Sequence, residues 1–372
     1  MFKLYSLIIS TLLYIPLNAQ TIANYSNQDG LLDNFINSIT VDIYDNIWMG
    51  TIAGICVFDP VNDTWTSWDT EAIGTNFPSS NIKIIKAMSN GYIWMGTDFG
   101  ASRFDGENWE TFTNLNGLNN NQVKSIDEDQ DGGVWIGTMV GVSHFDSDNW
   151  MSYGSDDLHW SGVNGTSFDS QGNTWFSSPL GGITKFDGNL FTTFSTYDNL
   201  LSMNSTDIVI DNQDNKWIGS SNGMSVLNSE ENNFTHHTQM YYLPPPDTLN
   251  PVVQIAMDSE DNVWAAIYVG YLAVGGIAYL NESEWVSIGV EDGLAGPNIK
   301  GIAIDSQDNV WVATSTGLSK IFAMSSSLNK PTINNKFIVK TIDILGRETN
   351  SKGFNIEIYN DGSVEKKYKF QQ

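Results

Sequence analysis

Three aspartates at alternate positions are the clearest candidates for metal chemistry. Asp127, Asp129 and Asp131 precede Gly132, which gives the order D-x-D-x-D-G. Oxygen ligands in this order begin the loop that encloses Ca²⁺ in EF-hand proteins. The twelfth position of such a loop is Thr138 here, where a bidentate glutamate is usual. Two interpretations follow: a calcium site, or a turn that uses the same aspartates structurally. No other cofactor is expected.

Histidine, the commonest general acid or base, is scarce in this chain. Four are present, His144, His159, His236 and His237. No Gly-x-Ser-x-Gly, His-Glu-x-x-His or phosphate-binding loop accompanies them in the sequence. We expect His144 at a surface position of a strand, and His236 and His237 near an outer strand. These residues favour a protein without catalytic chemistry of its own.

The overall charge argues against one large class of partners. The 372 residues include 43 acidic and 17 basic side chains, which gives a net charge of −26. Binding to DNA or RNA depends on basic side chains that neutralise phosphates, so no nucleic acid partner is expected. Cys56 is the only cysteine, which excludes an internal disulfide and a cysteine-rich metal site. The apolar content of 41% is typical of a folded chain.

A pattern centred on tryptophan recurs seven times and must position all of these residues. Aspartate stands six residues before the tryptophan in six copies, with Met88 as the exception, and glycine stands six residues after it in every copy. Apolar side chains alternate around these positions, and Asp-Asn or Gly-containing pairs separate them, which predicts short strands joined by tight turns. The central residues are Trp48, Trp94, Trp135, Trp175, Trp217, Trp264 and Trp311.

Four short strands in each repeat of about 40 to 47 residues predict a β-propeller. The predicted fold class is therefore all-β, a seven-bladed propeller in which the tryptophans fill the layers between blades. The seventh copy ends near Phe322 without a fourth strand, whereas a strand-like segment around Tyr25 precedes the first copy. We expect this N-terminal strand to close the last blade, because an unpaired strand edge would otherwise remain.

The copy that contains Trp135 reads I-D-E-D-Q-D-G-G-V-W-I-G-T, and W-M-G-T recurs at Trp48 and Trp94. These segments resemble the two-component regulator propeller repeat. The resemblance implies a propeller outside the cell, where such domains often belong to sensor kinases that detect glycans. Streptogramin lyases are also seven-bladed propellers, so fold analogy keeps a lyase or hydrolase of a polysaccharide or lactone as one alternative. A structural protein of the cell envelope is another.

Both ends of the chain carry features typical of export. Residues 1–19 combine a positive start, an apolar run and a small residue at a cleavage point, which predicts a signal peptide. The propeller is expected over 21–323 and a linker over 324–335. Residues 336–372 contain D-I-L-G-R-E and N-D-G-S-V-E-K-K, and resemble the C-terminal sorting domains of type IX secretion. This resemblance implies the type IX machinery as a partner and a secreted or outer-surface protein, and no transmembrane span is expected.

Irregular loops supply the candidate ligand-binding residues. Propeller ligands usually dock where the fourth strand leads into the next first strand and where the second leads into the third. Aromatic side chains near carboxylates suit sugar rings, and they also suit a protein-docking hot spot. We predict extracellular recognition of a glycan or a partner protein, with mutual packing of these aromatics as the structural alternative. The candidates are His159, Trp160, Tyr241, Tyr242, Tyr268, Tyr271 and Asp98.

Overall fold

The protein is described by a computed structural model and divides into two units, residues 1–323 and 324–372. The first unit contains seven four-stranded antiparallel sheets, and the second contains one three-stranded sheet. This confirms the predicted all-β, seven-bladed propeller with a C-terminal β appendage. The residues described are 21–69, 77–146, 149–158, 162–243, 249–270, 272–281 and 283–323, with the strands 338–342, 353–359 and 364–369.

Four strands that follow one another along the chain make each of the first six blades. The first strand, β1 (Ile22–Tyr25), belongs to the last blade. Blade one is β2 (Ile36–Val41), β3 (Ile47–Thr51), β4 (Ile55–Asp59) and β5 (Thr64–Trp68). Blade two is β6 (Ile84–Ala87), β7 (Ile93–Thr97), β8 (Gly100–Phe104) and β9 (Trp109–Phe112). Blade three is β10 (Val123–Glu128), β11 (Val134–Thr138), β12 (Gly141–Asp146) and β13 (Asn149–Tyr153).

The remaining blades repeat this arrangement. Blade four is β14 (Gly165–Phe168), β15 (Thr174–Ser178), β16 (Gly182–Phe186) and β17 (Phe191–Phe194). Blade five is β18 (Ser205–Ile210), β19 (Lys216–Ser220), β20 (Gly223–Leu227) and β21 (Phe234–His237). Blade six is β22 (Val252–Met257), β23 (Val263–Val269), β24 (Val274–Asn281) and β25 (Glu284–Ile288). Blade seven is β26 (Ile299–Ile304), β27 (Val310–Thr314) and β28 (Gly317–Ile321), joined by β1.

Within the described residues, helical structure is confined to short segments. Two single-turn 3-10 helices, Thr196–Asp198 and Val290–Asp292, lie in loops between blades. Across the described ranges, no helix is both long enough and apolar enough to cross a bilayer. The second unit consists of β29 (Ile338–Ile342), β30 (Gly353–Tyr359) and β31 (Val364–Lys369), paired in that order.

The core lies between blades. The second strands are buried along their whole length in five blades, whereas the fourth strands of blades one and three contain only exposed and half-buried residues. A four-stranded sheet has two faces, and stacking neighbouring sheets in a ring buries both. The first strand of each blade contacts the first strand of the next, so the seven first strands surround the axis. They form the wall of the central channel described below.

One end of the blade is secured by the recurrent aspartate in six of the seven blades. In blade four, Asp169 Oδ2 accepts a hydrogen bond from Trp175 Nε1 at 2.9 Å, while Asp169 Oδ1 accepts from the backbone N–H groups of Gln171 and Asn173 at 3.0 and 2.9 Å. Burial alone would raise the pKa of the Asp169 carboxyl, but these hydrogen bonds outweigh it and lower the pKa. The same indole bond is made in five other blades. The aspartate therefore orients the tryptophan as well as the turn.

The ends of the propeller sequence share the last blade. Strand β1 pairs antiparallel with β28, which places Tyr25 opposite Leu318. Ser319 Oγ donates to Asn24 Oδ1 at 2.7 Å, and the Tyr25 ring stacks on Trp311 with centroids 6.0 Å apart. The prediction that the N-terminal strand closes the ring is confirmed.

The prediction that His144 occupies a surface position is wrong. Its side chain is only 12% exposed, and its Nε2 atom lies 2.9 Å from Asp129 Oδ2. The imidazole stacks on Trp135 with centroids 4.3 Å apart. Strand β12 pairs His144 directly with Trp135, so any residue at this position packs against the tryptophan.

The turn glycine also differs from the sequence pattern in one blade. In blade one it is Gly54, whose φ is +146° and where an added Cβ would stand 2.2 Å from Trp68 O. The corresponding glycine is Gly182 in blade four, at φ +73°, one residue beyond the pattern. In blade six the patterned Gly270 follows β23 in the turn, and Gly276 lies inside the lengthened β24, paired with Ile267, where an added Cβ would stand 2.4 Å from Ile288 O. A side chain at these sites would collide with the neighbouring strand.

Candidate functional site

A channel of about 650 Å³ runs between the first strands. In five blades the pairing of the first and second strands shifts register directly after the first residue, so the next residue is bulged out of the ladder. These five bulged residues all line the channel near the start of their strands. They are Asn37, Lys124, Thr206, Val253 and Lys300.

The five bulged residues form a ring together with Lys83 and Asn164 of the other two blades, so that each blade contributes one residue. We call these seven residues the mouth ring; each stands eleven positions before its tryptophan and lines the channel. Lys300, Asn37, Lys83 and Lys124 come from the successive blades seven, one, two and three. We call Lys83, Lys124 and Lys300 the lysine arc.

The charge of the channel is opposite to that of the whole chain. Its charged lining residues are the lysine arc, Lys86, Asp127 and Asp207, in a protein of net charge −26. Lys86 Nζ lies 2.9 Å from Asp127 Oδ1, and this carboxylate raises the pKa of Lys86. Burial, with a smaller contribution from the charge of Asp127, raises the pKa of Asp207 to about 7. Below neutral pH, the lysine arc therefore carries the uncompensated charge of the channel.

The lysines of the arc have few acidic partners. Lys83 Nζ lies 3.6 Å from Asp98 Oδ2, with both side chains partly exposed. Among the described residues, neither Lys124 nor Lys300 takes part in an ion pair. Burial, together with the nearby charge of Lys83, lowers the pKa of Lys300. The arc is therefore a site of concentrated positive potential, in which an added anion would relieve repulsion between lysines.

The loops between second and third strands lie at the same edge as the mouth ring. This follows from the antiparallel pairing, because each second strand ends beside the start of its first strand. Backbone bonds fix these loops there: Met139 N donates to Gln122 O at 3.1 Å, and Ser221 N donates to Asn204 O at 3.2 Å. We call this edge the mouth face.

Blades one to four carry exposed apolar residues at the tips of these loops. Phe99 is 63% exposed and Leu180 is 59% exposed. The corresponding tips in blades five and seven are polar, with Ser221 and Asn222 in one and Ser315 and Thr316 in the other. We call the apolar set the apolar rim; it consists of Ile52, Phe99, Met139, Val140 and Leu180.

The aromatic candidates have different surroundings. Tyr241 is 7% exposed and belongs to an apolar cluster with Met240 and Val252; burial, with contributions from two nearby carboxylates, raises the pKa of its phenol to about 12. Tyr242, its neighbour, is 78% exposed, and Tyr268 is half-buried in β23. His159, Trp160 and Tyr271 lie outside the described residues. Tyr242 and Tyr268 thus remain candidates, whereas Tyr241 contributes mainly to packing.

Asp98 is the predicted candidate that the structure brings to the lysine arc, through its contact with Lys83. It lies in the loop of blade two, next to Phe99 of the apolar rim. It therefore connects the charged and the apolar parts of the mouth face.

The three aspartates of the calcium pattern do not converge on one point. Asp127 faces Lys86, while Asp129 Oδ2 accepts from Trp135 Nε1 at 3.0 Å and also contacts His144. Asp131 is exposed, and its backbone N–H donates to Asp129 Oδ1 at 3.0 Å. Within the described ranges, no group of three or more His, Cys, Asp or Glu side chains is arranged to hold a metal ion. Asp127 therefore lines the channel, Asp129 binds the indole of Trp135, and Asp131 belongs to the turn.

The described histidines lie away from the mouth ring. His144 is in the third strand of blade three, and His236 and His237 are in the fourth strand of blade five. Trp285 Nε1 donates to His237 Nδ1 at 3.1 Å, and burial with the adjacent His236 lowers the pKa of His237. His237 is half-buried, whereas His236 is exposed and its Nδ1 atom lies 3.1 Å from Ser225 Oγ.

Comparisons with known proteins agree with this architecture. The two component regulator propeller family model matches residues 30–53 and 117–139. A search of the curated proteins finds no match. An extracellular domain assigned to the hybrid two component system BT3049 of B. thetaiotaomicron superposes with a TM-score of 0.70 at 18% identity, covering 94% of this chain and 48% of that one. The chain therefore spans about half the length of that structure.

Two further solved structures have other roles. Virginiamycin B lyase from Staphylococcus aureus gives a TM-score of 0.63 at 16% identity, covering 82% of this chain and 99% of the lyase. PorZ, a surface component of the type-IX secretion system of Porphyromonas gingivalis, gives 0.64 at 15% identity, covering 92% and 60% of the two chains. The likenesses establish the fold, and two of the seven repeats match the two component regulator propeller model.

Proposed function

We propose that this chain is an extracellular recognition module that binds a glycan or a partner protein on its mouth face. The observation that carries the proposal is the meeting of a lysine arc and an apolar rim at one edge of an otherwise acidic ring. Exposed apolar groups beside concentrated charge characterise binding surfaces. Apolar groups are costly to leave in water, and clustered like charges are costly to leave unpaired. The similarity to extracellular propeller domains supports this proposal.

Recognition accounts for the mouth face better than catalysis does. A lyase or hydrolase needs a general acid or base within reach of its substrate. Each described histidine lies in a third or fourth strand, away from the channel, and the channel carboxyl of Asp207 already accepts a hydrogen bond from Ile255 N at 2.8 Å. Lys124 and Lys300 can neutralise an anion without any proton transfer.

A binding screen with matched variants tests this proposal. The wild-type protein is assayed against a panel of polysaccharides and synthetic peptides, alongside Phe99→Ser and Leu180→Ser. Leu190→Ser is the control, because Leu190 is similarly exposed in the turn between β16 and β17 at the opposite edge. We expect the two rim variants to weaken binding while the control does not. Binding that survives both rim variants would contradict the site, and product formation from a polysaccharide or lactone would favour the enzyme alternative.

We also propose that the chain is exported and then sorted by type IX secretion. The signal-like residues 1–19 and the tail at 336–372 support this proposal. Intact-mass measurement of the protein from its native host gives both ends directly. The expected species begins after Ala19, and deletion of 336–372 should retain the protein inside the cell envelope. An intact N-terminus, or unchanged surface display of the truncated protein, would contradict it.

A further inference from the structure

We infer that the ligand of the mouth face is an acidic peptide segment of a partner protein. Its carboxylates contact the lysine arc, and its apolar side chains contact the apolar rim. This inference rests on the proposed function and chooses between the two ligand classes that the proposal contains. It follows from the bonding of the mouth ring and from the side-chain types of the rim.

The uncharged polar members of the mouth ring are already used within the fold. Asn37 Nδ2 donates to Ile82 O at 2.7 Å, and Asn164 Nδ2 donates to Ser205 O at 2.9 Å. Thr206 Oγ1 makes the equivalent bond to Val252 O at 2.8 Å. Each of these bonds joins one blade to the next. At these positions polar side chains serve to hold the ring together.

Among the described residues, the lysines at the same level donate no such hydrogen bond to the next blade. Lys83 Nζ contacts Asp98 of its own blade, and Lys300 Nζ lies 5.1 Å from the centre of the Phe35 ring. Hydrogen bonding between blades therefore does not account for lysine at three of the seven equivalent positions. Clustering three ammonium groups around a channel costs free energy unless an anion neutralises them. The arc is therefore suited to a ligand with more than one carboxylate.

The apolar rim distinguishes a peptide from a sugar. Sugar rings bind against flat aromatic faces, which match their C–H surfaces. Four of the five rim residues are aliphatic, and Phe99 is the aromatic one. Flexible aliphatic and methionine side chains are typical of surfaces that bind apolar side chains of proteins. The exposed Tyr242 lies in the loop before blade six, a blade that carries no residue of the lysine arc or the apolar rim.

The two surfaces overlap along the ring. The lysine arc spans blades seven, one, two and three, and the apolar rim spans blades one to four. Arc and rim therefore coincide on blades one to three. The contact between Lys83 and Asp98, the neighbour of Phe99, ties them together in blade two. A segment that alternates acidic and apolar residues can satisfy both surfaces at once.

Two peptide libraries test this inference. One alternates Asp or Glu with Leu, Ile or Phe over nine residues, and the other keeps the apolar positions but carries Asn or Gln. Oligogalacturonate, which is a carboxylated glycan, and a neutral oligosaccharide complete the set of probes. Binding of fluorescently labelled probes to the full chain is followed by anisotropy at low and high salt. The variants are Lys83→Gln, Lys124→Gln, Lys300→Gln and their combination, with Lys320→Gln as the control.

Lys320 is a suitable control because it lies in a third strand over Trp311, with its Nζ 4.7 Å from the ring centre. The acidic library should bind about tenfold more tightly than the amide library, with the advantage shrinking as salt rises. Each single arc variant should lose about two- to fivefold, as partly exposed ion pairs do, and the triple variant should lose the advantage entirely. Lys320→Gln should bind as the wild type does.

Several results would overturn the inference. Equal binding of the two libraries, or an unaffected triple variant, contradicts the role of the lysine arc. If oligogalacturonate binds through the arc while the peptides do not, the ligand is an acidic glycan, and the proposed recognition function stands. If a probe binds but neither arc nor rim variants weaken it, the mouth face is not the site. If no probe binds at all, both the inference and the proposed function fail.

Discussion

Replacing Asp207 with asparagine should stabilise the protein, and more so as pH rises. The carboxyl lines the channel, where Asp207 Oδ2 accepts a hydrogen bond from Ile255 N at 2.8 Å. Burial raises its pKa from the ordinary value of 3.8 to about 7. Between these pH values the unfolded chain loses the proton while the folded chain keeps it. The stability contributed by this group is therefore present at low pH and is lost as pH rises towards 7.

The magnitude follows from the width of that interval. Each pH unit within it costs about 1.4 kcal/mol, so the free energy of unfolding should fall by about 2–3 kcal/mol between pH 5 and pH 7 through this group. Asp207→Asn keeps an oxygen acceptor for Ile255 N and removes the titration. The gain of the variant over the wild type should therefore be about 2–3 kcal/mol larger at pH 7.5 than at pH 5. In thermal unfolding this is a difference of about 5 °C in Tm.

The assay is thermal or urea unfolding of both proteins at the two pH values. Asp169→Asn is the matched control with the opposite sign. Hydrogen bonds lower the pKa of Asp169, so its carboxylate stabilises the folded state above pH 4, and the variant should lose stability at pH 5 and at pH 7.5. If Asp207→Asn gives the same gain at both pH values, or becomes less stable as pH rises, the reasoning about the channel carboxyl is wrong.

Three further changes test the ring and its packing. Deleting 21–25 should leave β28 unpaired and abolish cooperative unfolding or lower Tm by more than 10 °C, on the order of several kcal/mol; an unchanged melting curve would contradict closure by β1. Gly276→Ala should cost about 1–3 kcal/mol in urea unfolding, because the new Cβ would stand 2.4 Å from Ile288 O, whereas Gly154→Ala has open space and should be nearly neutral. Trp175→Phe should lower the free energy of unfolding by about 1–3 kcal/mol, because it removes the indole donor to buried Asp169. A loss below about 0.5 kcal/mol would show that the hydrogen bond between tryptophan and aspartate is dispensable.

The blades could be predicted because their determinants are local. Alternating apolar residues, turn residues and a tryptophan at a fixed place recur in every copy, and each repeat depends mainly on its neighbours. The closing strand was also predictable, since an incomplete seventh copy and an extra strand near Tyr25 complement each other. By contrast, the glycine that faces the fourth strand of blade six is Gly276 and not the patterned Gly270, because β23 and β24 are longer than the corresponding strands of the other blades.

The mouth face was harder to predict because it is assembled across blades. Lys83, Lys124 and Lys300 are far apart in the sequence and line one channel only when the blades pack into a ring. Aligning the seven copies on tryptophan and reading the column eleven residues earlier would have found them, since three of its seven members are lysine. The buried state of Tyr241 had no such signal, because the loop that carries it is outside the repeat.

The last blade has a consequence for the order in which the chain folds. Asn24 and Ser319 bond across 295 positions of sequence, so the contact that completes the ring unites the earliest and the latest parts of the propeller. Long-range contacts of this kind form slowly, because a long loop must be ordered before they can be made. A polypeptide delivered with its N-terminus first therefore carries an unsatisfied strand edge for almost the whole of its delivery. During that interval a chaperone or a translocation factor can bind the exposed strand edge. Pairing of β1 with β28 then removes this edge.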